Sequence, residues 1–209
     1  MKVIYILKKG FQYFPPCLMQ LLMLDDLGVE LEVYHGKITK TIDNLLNERK
    51  IKHHVFSSDV QSKNRFESAK NFLKFKKELK KLAYSKPKNN IFWFGNAETV
   101  AAFPFSILKN IRFVVSVLEL YDENSFLDKK LSRILKYAEH IICCEKHRSA
   151  IMSCRYRLNN MPYVIPNKPY EGIDTEVNNT ELSKALERYQ NKIIVVYQGI
   201  ITPDRPLDK

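Results

Sequence analysis

Residues 91–118 read IFWFGNAETVAAFPFSILKNIRFVVSVL, and this stretch decides the fold. Residues 91–94 form an apolar run too short for a helix, closed at once by Gly95. That is how a strand buried on both faces reads. Asn96 suits an N-cap, and the residues after it predict a helix over 98–108. Residues 113–118, FVVSVL, are a second buried strand. Strand, helix and strand within about 30 residues make a βαβ unit, whose two strands lie parallel.

Working outward, the same alternation recurs. Toward the N-terminus, residues 3–7 form a strand. Pro15 and Pro16 suit the first turn of a helix that runs to residue 27, and Gly28 closes it. A strand over 31–34 and a helix over 41–49 capped by Thr41 follow. Then come a strand over 51–56 containing His53 and His54, and a long helix over 63–84. Toward the C-terminus the pattern gives a helix over 125–138, a strand over 140–144, a helix over 146–154 and a short strand over 163–165. Six or so β-α repeats predict an α/β fold: a doubly wound, mostly parallel Rossmann-like sheet with helices on both faces. Pro166, Asn167, Pro169 and Gly172 break the pattern. The expected organisation is a Rossmann-like domain over 1–166 and a linker over 167–190. A truncated second domain is expected over 191–209, opened by a strand over 193–197.

Composition agrees. The 209 residues are 45% hydrophobic, which excludes a disordered chain. Four cysteines show no CxxC pair, so all are expected to be buried, reduced and in a cytosolic setting. No run of about 18 apolar residues is present to span a bilayer. The 34 Lys and Arg exceed the 23 Asp and Glu by 11. Most of the excess is local, since residues 63–88 hold ten Lys or Arg against two Glu. On a helical wheel Phe66, Ala69, Phe72, Leu73, Phe75, Leu79, Leu82 and Ala83 form one face, expected to cover the sheet. Lys70, Lys74, Lys77 and Lys81 form the other, a solvated face or one that attracts an anionic membrane surface. Nucleic acid is disfavoured as a partner, because the phenylalanines fall on the face expected to be buried.

In an open parallel sheet ligands bind beyond the carboxyl ends of the strands. That rule selects residues 8–14, 35–37, 57–59, 95–98, 119–124 and 145–148. The first loop, KKGF, supplies one glycine, Gly10, where a dinucleotide fold needs three, and no P-loop, HExxH or GxSxG pattern occurs. Asn96 offers a helix cap or an anchor for a sugar hydroxyl. Glu119, Tyr121, Asp122 and Glu123 follow a buried strand, as a solvated acidic loop or as groups that bind sugar hydroxyls and take a proton.

The segments FVVSVLELYD (113–122), AEHIICCEKHRSAI (138–151), PYVIPNKP (162–169) and IIVVYQGIITPDR (193–205), taken in order, resemble a glycosyltransferase family 4 enzyme of the GT-B fold. The resemblance implies the N-terminal, acceptor-side lobe and the start of the donor lobe. It implies Glu119 as the catalytic group, with Leu118 where the family often has His. It places acceptor binding at Glu145 and Arg148, to which the loops selected above add Gly10, Asn96 and Asp122, and the donor diphosphate at Gly199 and Arg205. The implied reaction is a retaining, metal-independent hexosyl transfer from a nucleotide sugar to a hydroxyl of a glycan or lipid-linked acceptor, with no cofactor. It implies surface polysaccharide synthesis, in the cytoplasm or peripherally at the inner membrane face. It also implies that the donor binds through a second domain and that this chain is inactive alone. The alternative is a non-catalytic basic module that binds an anionic membrane surface or nucleic acid.

Overall fold

The structure, a computed structural model, describes residues 2–57, 65–86, 89–168, 189, 192 and 193. The chain divides into two compact units, Met1–Tyr170 and Glu171–Lys209. The expected strand over 193–197, save Ile193, and both Gly199 and Arg205 lie outside the described residues.

The first unit is built on seven parallel strands: β1 (Val3–Leu7), β2 (Leu31–His35), β3 (Lys52–Val55), β4 (Ile91–Phe94), β5 (Arg112–Ser116), β6 (His140–Cys143) and β7 (Tyr163–Val164). They lie in the order β3-β2-β1-β4-β5-β6-β7. The chain leaves β1 for one side of the sheet, then crosses to β4 and builds the other. Among the described residues seven α-helices connect the strands: α1 (Pro15–Asp26), α2 (Lys40–Glu48), α3 (Arg65–Ser85), α4 (Ala97–Ala102), α5 (Phe105–Leu108), α6 (Phe126–Ile134) and α7 (Lys146–Tyr156).

Alternation along β1 divides the core. Ile4 and Ile6 belong to one apolar cluster, with Phe75 and Leu79 of α3, Val100 of α4 and Leu131 of α6. Val3, Tyr5 and Leu7 belong to the other, with Leu18 and Leu21 of α1 and Leu46 of α2. Both faces of the sheet are therefore covered, which is why the strands read as unbroken apolar runs.

Several local expectations need correction. The cap of α2 is Thr39, whose hydroxyl accepts from Ile42 N, so the helix starts before Thr41. The helix expected over 98–108 is two, because Pro104 forces Phe103 into an extended conformation (φ −72°, ψ 142°). Cys17 and Cys143 are buried, but Cys144 is half-buried and Cys154 exposed; all four are free thiols. The buried face of α3 is narrower than expected. Phe75, Leu79 and Leu82 are buried, whereas Phe66 and Leu73 face solvent, because at 100° per residue these two fall half a turn from Phe75, on the lysine side of the helix. Among the described residues no helix is long and apolar enough to cross a membrane.

Candidate functional site

The strand order reverses between β1 and β4, so their carboxyl ends mark the switch point where an open parallel sheet is expected to bind a ligand. Hydrogen bonds fix the backbone there. Gly95 N donates to Ile6 O at 2.9 Å, and Cys17 Sγ donates to Gly95 O at 3.0 Å. Lys8 N donates to Thr99 Oγ1 at 2.9 Å, which joins the β1 loop to α4. A Cβ at Gly95 would sit 3.0 Å from the Tyr5 hydroxyl, so a larger residue there would press on Tyr5. Asn96 is buried, and its Oδ1 accepts from both Thr99 N (2.9 Å) and Thr99 Oγ1 (2.6 Å). Asn96 is thus the N-cap of α4, and its carbonyl oxygen is already engaged.

Polar groups stand on the segments that follow the strands. Lys9 Nζ lies 3.9 Å from Glu98 Oε2. Tyr121 is half-buried, and its phenol pKa is pushed up, first by burial and then by the charges of Glu98 and Glu119. A phenol is protonated at neutral pH in any case, so Tyr121 offers a hydrogen-bond donor within electrostatic reach of the Glu98 and Glu119 carboxylates. Arg155 Nη1 holds Tyr121 O at 2.7 Å, and its Nη2 lies 3.0 Å from Glu123. On the other side of the loop Arg148 donates to Leu118 O and lies 3.1 Å from Cys144 Sγ. Lys8 Nζ lies 5.1 Å from the centroid of the Phe72 ring, and Lys76 Nζ 5.3 Å from it.

The expected residues fare differently. Asn96 and Glu119 sit on the loops that follow β4 and β5, and Arg148 in the first turn of α7, after β6. Asp122 is exposed on the loop before α6, where its carbonyl accepts from Ser125 N at 3.1 Å. Glu145 caps α7, accepting from His147 N (2.7 Å) and Arg148 N (3.1 Å). These bonds, that from His147 foremost, lower its pKa. Gly10 is buried against a neighbouring loop: a Cβ there would fall 2.0 Å from Lys37 O. Its lack of a side chain is explained by that approach. Two surface cavities, of about 580 and 470 Å³, run along α6, β6 and α7, and neither is lined by the loops after β1, β4 or β5. Among the described residues no three His, Cys, Asp or Glu side chains are grouped to hold a metal ion.

No family model and no curated protein matches the sequence. Solved structures do match in shape. A glycosyltransferase of Rickettsia africae superposes with a TM-score of 0.51 at 15% identity, over 90% of this chain and 49% of its own. HepE of Anabaena, in complex with UDP and glucose, gives 0.54 at 12% identity, over 90% and 50%. TcCGT1 in complex with UDP gives 0.51 at 14% identity, over 90% and 55%. The fold is a Rossmann-like GT-B half. At these identities the likeness carries the GT-B architecture and does not single out family 4. The chain spans about half the length of the structures it matches. Within this GT-B lobe, Thr99 and Arg155 are residues that the pattern of the sequence left unmarked, whereas Glu98 falls in the selected segment 95–98 without being singled out there. Thr99, three residues after Asn96, stands where a capping partner stands, and that spacing is the one signal that marks it. Glu98 and Arg155 meet Tyr121 only through the tertiary fold.

Proposed function

We propose that the first unit is the acceptor-side lobe of a sugar transferase that uses a nucleotide-sugar donor. The carrying observation is the switch in strand order between β1 and β4, with Glu98, Glu119 and Tyr121 on the segments that follow β4 and β5, in a fold shared with proteins crystallised with UDP. In this reading Tyr121 and Glu98 hold hydroxyls of a glycan or lipid-linked acceptor. Glu119 accepts the proton of the attacking hydroxyl as the new C–O bond forms and the bond from the sugar to the diphosphate breaks. Arg148 positions the loop through Leu118, at the place where family 4 enzymes often carry a histidine. Donor binding belongs to a second lobe, with Gly199 and Arg205 at its opening; transfer is retaining, needs no metal, and builds surface polysaccharide.

The test is NMR titration of the 209-residue chain with a panel of oligosaccharides and polyprenyl-linked sugars, and with UDP-glucose separately. An acceptor shifts the amides of residues 95–99 and 118–122, and Glu119→Gln weakens it. UDP-glucose leaves those amides unmoved, and the chain alone transfers no sugar. Shifts at those amides from UDP-glucose but from no glycan would reverse the assignment of the lobe.

A further inference from the structure

Helix α3 has two unlike sides. Phe75, Leu79 and Leu82 are 2%, 0% and 6% exposed and pack on the sheet. On the opposite side Phe66 is 89%, Leu73 59% and Tyr84 73% exposed. Positions 66, 70, 73, 77, 81 and 84 recur at steps of three and four, so they form a single line along the helix, half a turn from Phe75. The line reads Phe66, Lys70, Leu73, Lys77, Lys81, Tyr84, and every member is exposed. Lys80 flanks it, with its Nζ 6.0 Å from the centroid of the Tyr84 ring. The two glutamates of the helix, Glu67 and Glu78, fall off this line. From Phe66 to Tyr84 the line runs about 27 Å, at 1.5 Å per residue.

Scattered exposed apolar residues are ordinary. Three large ones in register on one helix are different, because the apolar need of the fold is already met by the inner face. Placing apolar and aromatic groups between ammonium groups suits one environment, the boundary between lipid headgroups and acyl chains. We propose that the outward line of α3 is a docking surface for a lipid bilayer with anionic headgroups. The helix lies flat on the bilayer, Phe66, Leu73 and Tyr84 enter the boundary, and the lysine stems run along it with their ammonium groups on the lipid phosphates. Charge complementarity sets the sign of the lipid, since residues 63–88 hold ten Lys or Arg against two Glu. A nucleic acid would meet the same charges, but single strands stack on ring platforms within grooves. This line is convex, and Leu73 offers no ring. The inference draws on α3 alone and is independent of sugar transfer.

The test is co-sedimentation of the full chain with vesicles of phosphatidylcholine alone or mixed with phosphatidylglycerol. The wild type pellets with the mixed vesicles only, and added salt weakens this. Replacing Lys70, Lys77 and Lys81 together by Gln lowers the partition on the order of a hundredfold, about fivefold per lysine. Phe66→Ser with Leu73→Ser lowers it by about tenfold or more even at low salt. Both variants keep the thermal midpoint of the wild type, since these side chains lie outside the core. Equal binding to both vesicle types would overturn the proposal. So would unchanged binding of the Phe66→Ser, Leu73→Ser variant, or displacement of the vesicles by an equal charge of single-stranded oligonucleotide.

Discussion

Asn96 illustrates how much one side chain fixes. Its buried oxygen takes both polar hydrogens of Thr99, and Thr99 Oγ1 in turn receives Lys8 N. Asn96→Ala removes the cap of a six-residue helix and leaves a buried hydroxyl short of a partner. The expected loss is about 2 kcal/mol, read by urea denaturation. His35 is the other informative residue. It is fully buried; its Nδ1–H donates to Gly36 O at 2.6 Å, which leaves Nε2 to accept from His53 Nδ1 at 3.1 Å. Its surroundings also include the Phe11 ring, with Asp43 and Asn47 of α2 beyond His53. Burial first, and then the neighbouring imidazoles, lower the pKa of His35, against the pull of Gly36 and Asp43. The folded protein therefore binds fewer protons here than the unfolded chain, whose imidazole titrates near ~6.5. The contribution of His35 is complete above that pH and declines as the pH falls below it. Denaturation midpoints measured from about pH 7.5 down to about pH 5.5 should fall, and His35→Phe should flatten that slope.

Among the elements, α3 is tied to the sheet through one carboxylate. Glu32 of β2 is 2% exposed and is met by Lys86 at 2.7 Å, just past the end of α3. Tyr34 OH donates to it at 2.9 Å, and Lys2 and Lys52 each stand 3.4 Å away. Burial by itself would raise the pKa of Glu32. The bonds from Lys86, Tyr34 and Lys52 outweigh burial and hold it well below the usual carboxylate range. The folded pKa is depressed, so the stabilisation is present above the unfolded pKa of about 4.3 and is lost as the pH falls toward the folded one. Glu32→Gln breaks a buried ion cluster, and a cost of about 3 kcal/mol at pH 7 is expected, with loss of the acid limb of the stability profile. The sequence showed α3 as a basic helix, and its periodicity at 100° per residue already sets Phe66 and Leu73 opposite Phe75, Leu79 and Leu82, on the side of Lys70, Lys77 and Lys81; grouping all the apolar residues on one face overlooks this.

For the whole molecule, the sheet predicts a gradient of protection. Every residue of β1 is buried, while the edge strands β3 and β7 are largely exposed. Deuterium exchange should be slowest in β1 and β4 and fastest in β3 and β7; an early-exchanging β1 would mean that the central strands do not form the stable unit. The edge itself carries Lys52, His53 and His54, polar groups that discourage pairing with another sheet. The sequence by itself determined the class of fold. Short apolar runs such as VIYIL and IFWF can be satisfied only between two layers of helices, and Pro, Gly and Asn mark where each run turns. It also determined which loops stand at the carboxyl ends of the strands, because parallel strands place every such loop on one edge. What only the tertiary structure decided is which of those loop residues have groups left to offer. Gly10 is spent on Lys37, Glu145 on its own helix and Asn96 on Thr99, whereas Tyr121 and Glu119 of the loop after β5 share their surroundings with Glu98 of α4. The physical reason is that a cap or a close approach consumes a polar group within a few residues or across a neighbouring loop. A grouping such as that of Tyr121 with Glu98 depends on contacts between segments far apart in the chain, which no local pattern encodes.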